Sequence, residues 1–214
     1  MDPEYLYISR WTFFLNMGQM VISVLSLPLS IIILYVLITN KSHSGAFFVI
    51  FKVGLLYDIA ALTFVHVFGV LPTRGFMMSD EFMESQLYLK TYFFLMYTLH
   101  SGQSITNTLI ALNRASAVVL PFLHKRMWSH RYCLPCCFLI QATVGMGMGH
   151  VSLQYELSLN RYTTGERFPM VVFSESVLQF WFNVFVFVLV SSINMIVLYG
   201  VVLWKFRAKL MVGS

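Results

Sequence analysis

Between Leu15 and Thr39 the chain carries no charged residue, and further long, mostly apolar runs follow it. A run of about 20 apolar residues is what one α-helix needs to cross the hydrocarbon core of a bilayer. Lipid offers the backbone no hydrogen bonds, so only helices or closed barrels can span it, and a barrel strand is only about 10 residues long. The other runs extend from Ala46 to Leu71, from about Gln86 to Leu112, from Cys133 to Leu153 and from about Ser176 to Trp204. They predict an all-α fold, a polytopic bundle of five transmembrane helices that forms one domain over residues 1–214. Composition supports the choice of solvent: 58% of residues are apolar and only 11% charged, whereas a soluble domain carries about 25% charged residues. The same figures exclude a disordered chain. The third run is the most polar, and the chain has neither an inverted repeat nor a low-complexity tract.

Orientation follows from the basic residues, which are retained on the cytoplasmic side of a membrane. With the N-terminus outside, Lys41, Arg114, Lys125, Arg126, Arg131, Lys205, Arg207 and Lys209 are cytoplasmic, while Arg10, Arg74, Arg161 and Arg167 are external. Eight of the nine acidic residues then lie outside, Asp58 being the exception. The first run is too long for a signal peptide and follows acidic Met1-Asp2-Pro3-Glu4, so it reads as an uncleaved span. The net charge of +5 is thus a feature of the cytoplasmic face. Anionic lipid accounts for it more simply than nucleic acid, and no nucleic-acid partner is expected.

Ionisable groups inside a span are costly and therefore functional candidates. Asp58 lies about 18 Å from the inner end of its helix, near mid-membrane. Its expected partner is His100 on the third helix or, for a neutral acid, Ser101 or Ser104. The third helix also carries His100, Ser104, Asn107, Ala111 and Arg114 at alternating four- and three-residue spacing, which keeps them within about 80° of arc. Such a face is predicted to line the bundle interior, either as a hydrogen-bonded seam or, around His100 and Gln103, as a ligand cavity. Glu175, Gln179 and Asn183 share one face of the fifth helix, so Gln179 and Asn183 are candidates for the rim of that cavity; Glu175 also suits the helix start electrostatically. Asp58, Ser104 and Asn107 form a candidate intramembrane polar switch.

Enzyme, metal and cofactor chemistry is not expected. The histidines show no His-x-x-x-His pairing, and those in the spans lie at different depths, which argues against haem. Cys133, Cys136 and Cys137 sit together at the cytoplasmic start of the fourth span, where the compartment is reducing. Packing is the first reading for them, palmitoylation the second and metal binding the third. No catalytic triad, phosphate loop or zinc spacing is present.

The junction after the third span reads Leu112-Asn113-Arg114-Ala115-Ser116-Ala117-Val118-Val119-Leu120-Pro121-Phe122, then His124-Lys125-Arg126-Met127-Trp128. This resembles the nematode serpentine chemoreceptors, the Srg superfamily with its gamma and Srv types, in which an Asn-Arg pair ends the third helix and a Pro and a Trp follow. The resemblance implies a seven-helix G-protein-coupled-type receptor in the plasma or ciliary membrane of a sensory neuron, with a small-molecule chemical ligand and a heterotrimeric G protein as partners. It further implies that Asn113, Arg114, Pro121, His124, Lys125 and Trp128 face the G protein, with Arg114 holding the inactive state. Against the common rhodopsin-like pattern, Asn113 stands where an acidic residue is usual. Only five of seven spans are counted, so a truncated form is expected. The alternatives are a small transporter or channel using Asp58 and His100, and a non-signalling product that oligomerises with full-length relatives.

Overall fold

The computed structural model describes residues 10–40, 45–129, 133–161, 167–172 and 175–212. The first helix, α1 (Arg10–Thr39), contains Pro28 and is followed by α2 (Ala46–Phe64). A π-helical turn, Val65–Val70, extends α2 into the three-residue α3 (Leu71–Thr73), and α4 (Asp80–Glu84) comes next. The long α5 (Gln86–Val119) and short α6 (Pro121–Trp128) precede α7 (Cys133–Ser152). Strands β1 (Leu157–Arg161) and β2 (Arg167–Val171) then lead into α8 (Glu175–Val212). Asp2, Glu4, Lys41, Arg131 and Glu166, which entered the charge argument, lie outside the described residues, as do the side chains of Arg10, Arg161, Glu175 and Lys209.

Among the described residues four stretches are long and apolar enough to cross a membrane: Met20–Thr39, Ala46–Val70, Cys133–Ser152 and Trp181–Lys205. The expected count was five. The remaining helix, α5, runs for 34 residues but is too polar to stand beside them. Its place in the bundle explains its composition, since α5 packs against α2, α7 and α8 and so offers its polar side chains to protein. On α1, by contrast, Ile22, Leu25 and Tyr35 are 66–67% exposed. A helix apolar all round with so much bare surface is stable only with lipid as its solvent.

Glycine sets how closely the bundle closes around α5. A Cβ on Gly149 of α7 would stand 2.7 Å from the Phe94 carbonyl oxygen, and one on Gly145 would stand 2.9 Å from that of Thr98. Gly145-x-x-x-Gly149 thus forms a small-residue stripe along which two backbones meet.

The turn of π-helix has a local cause. Proline at position 72 has no N–H to give the Phe68 carbonyl, and its ring crowds that carbonyl. The Leu71 N–H bonds to His66, five residues back, and the Tyr88 hydroxyl of α5 donates to the Phe68 oxygen at 2.6 Å. The freed acceptor therefore becomes a tie between helices.

The segment from Gln154 to Ser174, between the fourth and fifth runs of a chain expected to be all-α, contains an antiparallel hairpin that pairs Leu157 with Val171 and Arg161 with Arg167. Alternation of Leu157, Ser158 and Leu159 suits a strand with one covered face, and Pro169 is tolerated because each of the two strands has an open edge. Leu157 and Val171 are buried with Met83, Tyr88, Leu89, Phe93 and Tyr97. Gln86 Nε2 donates to the Leu157 oxygen at 3.2 Å, and Arg167 pairs with Asp80. This hairpin caps one end of α5. At the other end Ile50, Leu109, Trp128 and Cys137 form a second core.

Candidate functional site

Three polar groups radiate from α5. The first joins it to α2, where Gln103 Nε2 donates to Asp58 Oδ1 at 2.7 Å in a half-buried contact. Asp58 therefore bonds to Gln103, in place of the expected His100, Ser101 or Ser104. On a helix His100 and Ser104 are about 40° apart, and Gln103 lies about 60° to the other side of His100. That rotation turns Gln103 toward α2 and away from the ligand cavity it was expected to line. The transporter or channel alternative used Asp58 and His100 as a proton or ion path; here Asp58 bonds to Gln103 and His100 Nδ1 to the Met96 oxygen. Replacing Gln103 with leucine removes the donor to a carboxylate that can only accept, which should lower stability by about 1–3 kcal/mol. Asp58→Asn keeps an acceptor for Gln103 and should cost less; thermal unfolding of the purified variants compares the two.

The second group joins α5 to α7. Gln141 is only 1% exposed, and its Nε2 donates to the Gly102 oxygen at 3.1 Å and to Thr106 Oγ1. Thr106 Oγ1 in turn donates to the Gly102 oxygen at 2.9 Å. An amide in the middle of an apolar helix is thereby satisfied on a neighbouring backbone.

Between α5, α7 and α8 lies an open cavity of about 520 Å³. From α5 come Met96, Tyr97, His100, Ser101 and Ser104; Met148 of α7 and Trp181, Val184, Phe187 and Val188 of α8 form the other walls. Apart from His100 and the two serines, the lining is aromatic, aliphatic and thioether. His100 Nδ1 donates to the Met96 oxygen at 2.8 Å, and Ser104 Oγ donates to the His100 oxygen at 3.2 Å. Of the residues expected to form a ligand cavity, His100 is in this wall, while Gln103 faces α2. Gln179 and Asn183, expected at the rim, are exposed on α8 and are not among the lining residues. The expected switch group divides likewise: Asp58 is on the α2 side, Ser104 is in the cavity wall, and Asn107 is exposed. Tyr97, Met148, Trp181 and Phe187 carried no signal in the sequence, because an apolar side chain in a span costs nothing wherever it points.

The third group ties α5 to α6. Leu120, with φ −130° and ψ 62°, ends α5 because Pro121 disfavours the helical conformation of the residue before it and lacks an N–H. Pro121 then starts α6, whose turn brings His124 and Trp128 back onto Ser116. Trp128 Nε1 donates to Ser116 Oγ at 3.0 Å, His124 Nδ1 lies 2.9 Å from the same oxygen, and Ser116 Oγ donates to the Asn113 oxygen at 2.9 Å. A hydroxyl has one proton and two lone pairs, so all three bonds hold together when His124 carries its proton on Nδ1. Ser116, the centre of this knot, had no role in the sequence reading.

The surface expected to face a G protein is accordingly smaller than the motif. Asn113 and Trp128 are 4% and 6% exposed, since each packs inward to hold the junction, and His124 is half-buried. Arg114, Pro121 and Lys125 are exposed. The Arg114 guanidinium sits 4.4 Å from the centroid of the Phe47 ring on α2, within range of a cation–π attraction. Among the described residues no group of three or more His, Cys, Asp or Glu side chains could hold a metal ion.

The family model described as serpentine type 7TM GPCR chemoreceptor Srv matches residues 19–212. No curated protein matches the chain.

Proposed function

Because this chain belongs to the Srv family of serpentine chemoreceptors, we propose that it is a multi-pass receptor whose small-molecule ligand seats between α5, α7 and α8. The observation that carries this reading is the cavity of about 520 Å³, a volume suited to a compact organic molecule. In this reading α5 is a fifth span, the N-terminus and the hairpin end of the bundle are external, and the α5–α6 junction is cytoplasmic. Arg114, Pro121 and Lys125 then form the surface for a G protein, and the Arg114–Phe47 contact is one of two packings between which a cationic fork can exchange. A sensory plasma or ciliary membrane is the proposed location.

Cysteine accessibility tests the arrangement without needing a known ligand. In a chain whose three native cysteines are replaced by alanine, Ser104→Cys should react with a small charged thiol reagent added outside cells at least tenfold faster than Leu139→Cys. Leu139 is 67% exposed on the outer surface of α7 and would face lipid. Compounds that slow the Ser104→Cys reaction are candidate ligands. Equal rates at the two positions, or labelling of the Lys125–Arg126 segment from outside, would overturn the reading.

A further inference from the structure

We infer that the ligand of this cavity is an uncharged molecule that donates a hydrogen bond, of the alcohol or phenol class; the inference rests on the cavity being the ligand site. The argument concerns which protons the wall has already committed. A backbone carbonyl can only accept, so the bond between His100 Nδ1 and the Met96 oxygen places the ring proton on Nδ1. In the neutral ring Nε2, on the far side from that bond, is then a bare acceptor. Ser104, also in the wall, has given its only proton to the His100 carbonyl. Its oxygen keeps lone pairs alone.

His100 and Ser104 are thus adjacent acceptors on one wall, in a cavity otherwise lined by apolar and aromatic side chains. Ser101 is only 4% exposed. Tyr97 and Trp181, the other residues there with polar heads, each make an interaction within the protein. Among the described residues no carboxylate, lysine or arginine lines the space to hold a charged ligand. A ligand bearing only acceptors, such as an ether or ketone, has no proton to give His100 Nε2, and a site built around an acceptor discriminates against a ligand that leaves it unmatched.

The test uses the full chain in lipid nanodiscs. Saturable binding of 2-(4-fluorophenyl)ethanol, its methyl ether and 4-fluoroacetophenone is followed by fluorine NMR against empty nanodiscs. The alcohol is expected to bind at least tenfold more tightly than the ether or the ketone. His100→Phe, which keeps a ring and removes the acceptor, should bring the three within about twofold of one another. Ser104→Ala should reduce the preference by a smaller factor and serves as the second variant. Ether or ketone binding as tightly as the alcohol, or an alcohol preference that survives both substitutions, would overturn the inference and leave the cavity standing as a site. Failure of all three to saturate would remove the cavity as their site and the inference with it.

Discussion

Gly149→Val is expected to prevent α7 from docking on α5. The added Cβ alone would stand 2.7 Å from the Phe94 carbonyl oxygen, a backbone atom of the helix on which the bundle is built. It cannot swing aside as a side chain would, so the helices must part. Overpacking in a close-packed interior costs about 1–3 kcal/mol and sometimes more. Here the upper end is expected, because separation at Gly149 also strains the neighbouring Gly145 approach and draws Gln141 from Gly102 and Thr106. The measurement is the thermal midpoint of fluorescence-tagged protein in mild detergent, read by size-exclusion chromatography. Gly147→Val lies on the same helix, where a Cβ meets nothing within 4 Å. It should leave the midpoint nearly unchanged, and an equal fall in both variants would show that the close approach does not govern stability.

Trp128→Ala should cost about 3–5 kcal/mol, the usual range for removing a large buried aromatic. Trp128 is 6% exposed and packs with Ile50, Leu109 and Cys137, so its loss opens the core at the α6 end of the bundle. It also removes the donor to Ser116 Oγ that turns α6 back onto α5. The two contributions separate in part in Trp128→Phe, which keeps a six-membered aromatic ring and loses the pyrrole ring with its N–H. That variant should fall by less than the alanine variant, by about 1 kcal/mol for the hydrogen bond plus a smaller cavity cost. Denaturation of the three proteins would distinguish an anchor held by packing from one held by hydrogen bonding; equal losses in the two variants would assign the role to the hydrogen bond.

The pattern Asn113-Arg114 followed by Pro121 and Trp128 is consequently a folding signal. Proline stops α5, the backbone turns, and the tryptophan returns to a serine twelve positions earlier. Four membrane-length helices were legible because long apolar runs have few alternative uses. The tie between the freed Phe68 carbonyl and Tyr88 and the hairpin were not, since both depend on partners distant in the chain: Tyr88 of α5 for the carbonyl, and the aromatic row of α5 for Leu157 and Val171. A strand of five residues has little meaning until something covers one of its faces.

The division for the site is equally physical. Sequence alone determined that this chain folds in lipid, that its polar residues concentrate on one helix, and that Asp58 requires a partner, because the cost of desolvating polar groups depends on residue type and depth. It could not determine which partner. Within α5, a rotation of about 60° separates bonding Asp58 from facing the cavity, and it is set by the contacts that Gly102, Gly145 and Gly149 allow with neighbouring helices. Only the tertiary packing gave Gln103 to Asp58 and left His100 in the cavity wall.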